Sequence, residues 1–300
     1  MKFYVAVTDD AWYQNLRAID PPPEEVNFWT GAAANHEPGT PWLFKLHAPN
    51  NFIVGGGYFT YYTKMPLAII WEAFGRLNGV DSLESLCNAI GQYRNDPTLL
   101  TTPIGCAILS QPFFWNRDQW LQIPEDWSPN IVTRKSYDTE NDIGAAVWRA
   151  VSERVPKPVA TLLSSVSGGF GKPQIVRPRL NQGAFRLMVT DAYHRRCAVT
   201  GEKAWPALEA AHIIPFAEVQ THEVSNGLLL RADIHRLFDL GYVAVAPDYR
   251  FLVSKSIHDE FANGRDYYAL HGRAIGLPEH ASMFPDRALL EKHLSTKFRG

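Results

Sequence analysis

Four residues near the end of the chain, His212, Asn226, His235 and Asp239, are of types suited to hydrolysing a phosphodiester. All lie within CAVTGEKAWPALEAAHIIPFAEVQTHEVSNGLLLRADIHRLFDLGYVAV, residues 197–245. That reaction needs one group to take a proton from water and a divalent ion to neutralise charge on the phosphorane and the leaving oxygen. A neutral imidazole suits the first task near pH 7. An imidazole and a carboxylate four residues apart suit the second, because that spacing puts His235 and Asp239 on one helix face. The donor pair fits Mg2+ or Mn2+, with Ni2+ and Zn2+ as further candidates, whereas a closed structural zinc site demands four protein ligands.

The elements that must hold these groups are legible on either side of them. LEAAHIIP is apolar and strand-like, and Pro215 stops its ladder. Turn signals lead from there to SNG. ADIHRLFDL, residues 232–240, reads as a helix closed by Gly241. Asp239 then stands near a helix C-terminus, where the macrodipole disfavours a carboxylate and favours a cation beside it.

The run AAHIIP, then NG, then LRADIHRLFD resembles the ββα-metal motif of HNH endonucleases over roughly residues 177–255. The resemblance implies a catalytic set of His212, Asn226 and His235. His212 would be the general base, Asn226 would brace the loop and hold the base-bearing strand, and His235 would bind the metal with Asp239 as second ligand. The chain departs from the pattern at Ala211, where many members carry an acidic or His ligand before the base. Asp239 or Glu209 can supply the missing ligand; alternation puts Glu209 on the strand face opposite His212, which favours Asp239. Of the Cys-x-x-Cys knuckles common in the family only Cys197 remains, so the resemblance implies a domain held by packing instead of a structural zinc.

Three hundred residues suggest two modest domains with ample core. A net charge of -2, with 46% hydrophobic and 20% charged residues, is that of a soluble globular protein and carries no global sign of nucleic-acid binding. Any basic footprint is therefore local. Arg177, Arg179, Arg186, Arg195, Arg196 and Lys203 face only Asp191 and Glu202 over one stretch, a cluster able to neutralise phosphates or simply a solvated helix face. The three cysteines are scattered and indicate neither a disulfide framework nor a thiolate metal site. The first apolar run meets Asp9 and Asp10 too soon for a secretory signal, and no run is long enough to span a membrane, so a cytoplasmic location is expected.

The first half reads as short strands, at residues 2–7, 25–29, 42–47, 51–62 and 104–114, with amphipathic helices in the two segments between Pro66 and Arg94. An antiparallel, barrel-like α+β domain is expected, with the tryptophan-rich residues 113–132 closing it. Pro, Gly and Ser dominate residues 155–180, which gives a domain at 1–154, a linker at 155–180 and a second domain at 181–300.

KFYVAVTDDAWY, EVNFW and PGTPWLFKLHAPNNFIVGGGYF are similar in layout to PUA-like folds, which include EVE and SRA readers of modified bases. The fold class is then α+β, a PUA-like β-barrel with helices followed by a ββα-metal HNH domain. Reading a base means extruding it and stacking it between aromatic faces. Candidate walls are Trp29, Phe44, Tyr58 and Trp12, with Lys45, His47 and Asn51 as polar contacts, while Arg186, Arg195 and Arg196 track the backbone. For each aromatic, core burial is the competing reading. The GGG at residues 55–57 permits either close approach of nucleic acid or a bulge. Together the resemblances imply a modification-dependent DNA endonuclease acting on double-stranded, modified DNA, with no membrane partner and a homodimer as a candidate assembly. The alternatives are an HNH nuclease whose first domain binds a partner, and a catalytically silent nucleic-acid-binding protein.

Overall fold

The computed structural model describes residues 1–92, 100–155, 181–219 and 223–300. Nearly all of the expected linker, with Arg177 and Arg179, lies outside the described residues, as does His222. The chain divides into two compact units, Met1–Asn181 and Gln182–Gly300. Among the described residues no helix is long and apolar enough to cross a membrane.

The N-terminal unit is built on β1 (Lys2–Thr8), β2 (Glu25–Thr30), β3 (Pro41–Leu46), β4 (Phe52–Pro66), β5 (Pro103–Phe114), β6 (Leu121–Gln122) and β7 (Arg134–Asp138). The strands form one sheet in the order β2-β5-β4-β3-β1-β7, with β6 added to β4. Helices α1 (Asp10–Arg17), α2 (Leu67–Phe74), α3 (Leu83–Gly91) and α4 (Asp142–Ser152) belong to the same unit. Every residue of β3 is buried, because both sheet faces are covered. Trp42, Phe44 and Leu46 enter one core with Trp12, Phe28 and Phe59, while Leu43 enters another with Phe3, Phe113 and Trp115. A strand buried on both faces loses the apolar/polar alternation of a half-exposed one.

Two expectations need correction. The sheet is not wholly antiparallel, since β1 and β3 pair in parallel. Nor does it close into a barrel: β2 and β7 remain its two ends. The segment expected to close it instead turns inward. Asn116 and Gln119 form a capping box, Trp115 and Trp127 are buried, and β6 pairs only with Phe52 and Ile53 of β4. The guanidinium of Arg134, at the start of β7, donates to the carbonyls of Ala32 and Ala33 just beyond β2. A side chain thus links two edges that share no backbone ladder.

The triple glycine resolves as a packing device. A Cβ on Gly55 would lie 2.2 Å from the Phe113 carbonyl oxygen, and one on Gly56 would lie 2.9 Å from the Trp42 carbonyl oxygen. The register shifts between Gly56 and Tyr58, as at a β-bulge.

In the C-terminal unit, β8 (Leu208–His212) and β9 (Gly227–Arg231) form an antiparallel hairpin. It packs with α5 (Gln182–Ala192) and α6 (Ala232–Asp239). β10 (Val243–Val245), β11 (Phe251–Val253) and α7 (Arg287–Thr296) complete the unit around one core that includes Phe185, Leu228, Ile234, Phe238 and Leu290.

Candidate active site

Strand β8 ends at His212, three residues before Pro215, and Asn226 takes over the ladder's work. Its Oδ1 accepts from the Ile214 backbone N at 3.0 Å, and its Nδ2 donates to the Ile214 carbonyl at 2.9 Å. The side chain is fully buried, so both of its polar ends need these partners. Gly227, the next residue, pairs with His212. A Cβ there would lie 2.5 Å from Val189 of α5, so the Asn-Gly pair lets the helix close on the hairpin while the loop stays braced.

His212 is half-buried, and its ring stacks on Phe185 of α5 at 3.9 Å with an interplanar angle of 8°. Glu209 occupies the other strand face by alternation. Its Oε2 lies 2.6 Å from Nδ1 of His235 on α6. On the far side of the same ring, Nε2 lies 3.4 Å from Asp239 Oδ2. The structure therefore gathers Glu209, His235 and Asp239, and brings Asn226 to the segment that follows His212.

Helix α6 is held by its apolar face and by its end. Ile234 and Phe238 are buried. Past Asp239, the Gly241 N–H bonds to the Phe238 carbonyl at 3.1 Å and the Tyr242 N–H to the Leu237 carbonyl at 2.9 Å, the paired bonds of a Schellman cap. Gly241 has φ +77°, and a Cβ there would lie 2.0 Å from the Lys297 carbonyl oxygen. Cys197, buried, receives the backbone N–H of Arg231 at 3.3 Å and of Thr200 at 3.5 Å on its sulfur. It ties the start of the motif to the end of β9.

A family model for HNH endonucleases matches residues 197–246. The chain carries an HNH endonuclease domain. The match encloses the hairpin, the Asn226 brace and α6. No curated protein matches the chain. Among solved structures, the ASCH protein of Zymomonas mobilis is 13% identical with a TM-score of 0.32, covering 48% of this chain and 94% of its own. The modification-dependent TagI restriction endonuclease is 12% identical with a TM-score of 0.28, covering 99% of this chain and 81% of its own. At that level of agreement neither likeness fixes fold or function.

Of the basic residues expected beside the HNH domain, Arg195 and Arg196 are exposed in the turn after α5, and Arg186 is half-buried on the helix.

The N-terminal unit holds a cavity of about 240 Å³. Trp12, Phe28 and Trp29 supply aromatic surface, and Asp9, Thr30, His47 and Thr133 supply polar groups. Asp9 caps α1 by accepting from the Trp12 N–H at 3.0 Å, and the Trp12 indole N–H donates to the Asn27 carbonyl at 3.1 Å. Both bonds fix the inner wall. Of the expected walls, Trp12 and Trp29 line this cavity, but Phe44 and Tyr58 do not. Phe44 is fully buried against Trp12, Phe28 and Phe114, and Tyr58 is buried in the core on the other sheet face. The polar expectations divide likewise. His47 lines the cavity, whereas buried Lys45 donates to Asn51 Oδ1 at 2.6 Å and lies over Trp127. Phe28, Thr30 and Thr133 were missed because they come together only where the C-terminal end of β2 meets the approach to β7.

Proposed function

We propose that this protein is a metal-dependent DNA endonuclease whose N-terminal unit selects modified DNA. The observation that carries the nuclease reading is the pair of His235 Nε2 and Asp239 Oδ2, 3.4 Å apart within the HNH match. A ring nitrogen and a carboxylate facing each other at that range repel unless a proton or cation lies between them. Two such donors fit a hard divalent ion that keeps waters and open positions. Residues His235 and Asp239 would hold it, and when bound it supplies charge neutralisation at the scissile phosphate. His212 acts as general base on the attacking water. Asn226 fixes the backbone just beyond that histidine. Arg195 and Arg196 contact the phosphate backbone.

The cavity supports the reader half of the proposal. Its aromatic walls suit a flat ring taken out of the base stack, and its polar groups suit reading that ring's edge. At about 240 Å³ it lies below the roughly 300–1,000 Å³ of pockets for drug-sized ligands. Residues 1–154 form the reader and 181–300 the nuclease.

The test is cleavage of matched plasmids, unmodified or carrying methylcytosine, hydroxymethylcytosine or phosphorothioate, with Mg2+ or Mn2+ and a His212→Ala control. Cutting of one modified plasmid that falls by about 10²–10⁴ in the control is expected. Indiscriminate cutting would remove the reader, and no cutting with any metal would remove the nuclease.

A further inference from the structure

The sequence leaves two carboxylates, Glu209 and Asp239, competing for one role beside His235. The geometry gives them different roles. They lie against opposite nitrogens of the ring, Glu209 at Nδ1 and Asp239 at Nε2. The two lone-pair directions of an imidazole diverge, so a single ion bound to the ring can meet only one of the two carboxylates beside its own nitrogen. Consistent with this, among the described residues no group of three His, Cys, Asp or Glu side chains is placed to hold an ion.

The distances decide which side is which. At 2.6 Å, Nδ1 and Glu209 Oε2 are in hydrogen-bond contact, at the short end typical of a charged partner. A carboxylate only accepts, so this contact calls for a proton on Nδ1. At 3.4 Å, Nε2 and Asp239 Oδ2 are too far apart for a strong hydrogen bond. Two bonds of about 2.1 Å to one ion span that gap.

We propose that Glu209 is a positioning residue, holding His235 in the Nδ1–H form so that Nε2 and Asp239 together face the divalent ion. The proposal rests on the metal-dependent reading above. Its physical basis is general: a ligating histidine is oriented, and its free nitrogen made more basic, by an acceptor at the other ring nitrogen. Strand β8 provides the rigidity, because Glu209 stands opposite Leu230 in the ladder. The Glu209 side chain is 44% exposed and that of His235 is 22% exposed, so substituting the glutamate leaves the core intact.

The experiment uses the full chain at pH 8, with two readouts. Long-range 15N–1H NMR reports which nitrogen of His235 carries the proton in metal-free protein, and calorimetry reports Mn2+ affinity. Wild type is expected to show the Nδ1–H form. In Glu209→Ala that form is lost and Mn2+ affinity falls by about 10–100-fold. Glu209→Gln keeps both within about threefold, since its amide oxygen still accepts the Nδ1 proton. Asp239→Ala weakens Mn2+ binding while leaving the tautomer as in wild type. A Glu209→Gln loss as large as that of Asp239→Ala would make Glu209 a ligand and overturn the assignment. So would an Nε2–H form in wild type, or wild-type Mn2+ affinity in Glu209→Ala. Wild type that takes up no Mn2+ overturns the metal reading and this proposal with it; the other failures overturn this proposal alone.

Discussion

In the N-terminal unit, His36 lies among rings: Tyr4 at 3.9 Å, Phe59 at 5.3 Å and Trp42 at 5.5 Å. Burial, reinforced by the nearby Arg134 guanidinium, pushes its pKa down to about 4. In the C-terminal unit, His235 lies between two carboxylates, each against a different ring nitrogen. The first environment removes a titrating group from service at neutral pH. The second gives each nitrogen a task. What separates the two histidines is the chemistry of their partners, more than their depth.

The aromatic residues make the same contrast within one unit. Phe44 and Trp29 both belong to strands of the N-terminal sheet, but Phe44 is sealed in the core and Trp29 borders the cavity. Phe44→Ala is expected to cost about 3–5 kcal/mol of stability through the hole it leaves. Trp29→Ala is expected to leave most of the stability in place and to weaken binding to the cleaved plasmid's DNA by about 1–3 kcal/mol, the worth of one stacked base. Denaturant midpoints and DNA titrations on both variants check this. Equal loss of stability would make Trp29 another core residue and end its role as a wall.

In the HNH domain, Asn226→Ala leaves the Ile214 N–H and carbonyl without the partners they have now. Each unpaired buried polar group costs about 1–3 kcal/mol. A loss of roughly 2–6 kcal/mol is therefore expected by calorimetry, together with lower cleavage as the segment after His212 loosens. Asparagine truncation that abolished cleavage without lowering stability would point to a direct chemical role instead.

The pH dependence of His36 sharpens the comparison from the other side. Its folded pKa, about 4, lies below the ordinary value of 6.5. The unfolded chain therefore binds the extra proton first. Its contribution is complete above pH 6.5 and is lost as pH falls from there towards 4. His36→Phe keeps a ring in place and should flatten this slope in urea unfolding followed by tryptophan fluorescence. An unchanged slope would move the effect to another group.

Much of the HNH domain was legible because its parts are local. Apolar runs bounded by Pro215 and Gly241 marked β8 and α6, and the four-residue spacing of His235 and Asp239 is enforced by the helix itself. Glu209 was harder to place. Alternation assigned its strand face, but not the helix that covers that face 26 residues later. In the first half, β1 to β5 stood out by their apolar and aromatic composition. β7, with the sequence RKSYD, did not. Its charged residues suit an edge, and no pattern within five residues reveals that β1 is its neighbour.

By itself the sequence determined which segments form the motif, the identity of its chemical groups, and the spacing of those that share an element. Only the tertiary structure decided that β1 joins β3 in parallel, that the sheet stays open, that Trp29 lines a cavity while Phe44 fills a core, and that Glu209 meets His235. The reason is range. Backbone geometry carries a residue's direction over a turn of helix or a few strand positions, whereas contacts between distant segments are fixed only when their buried faces are packed together.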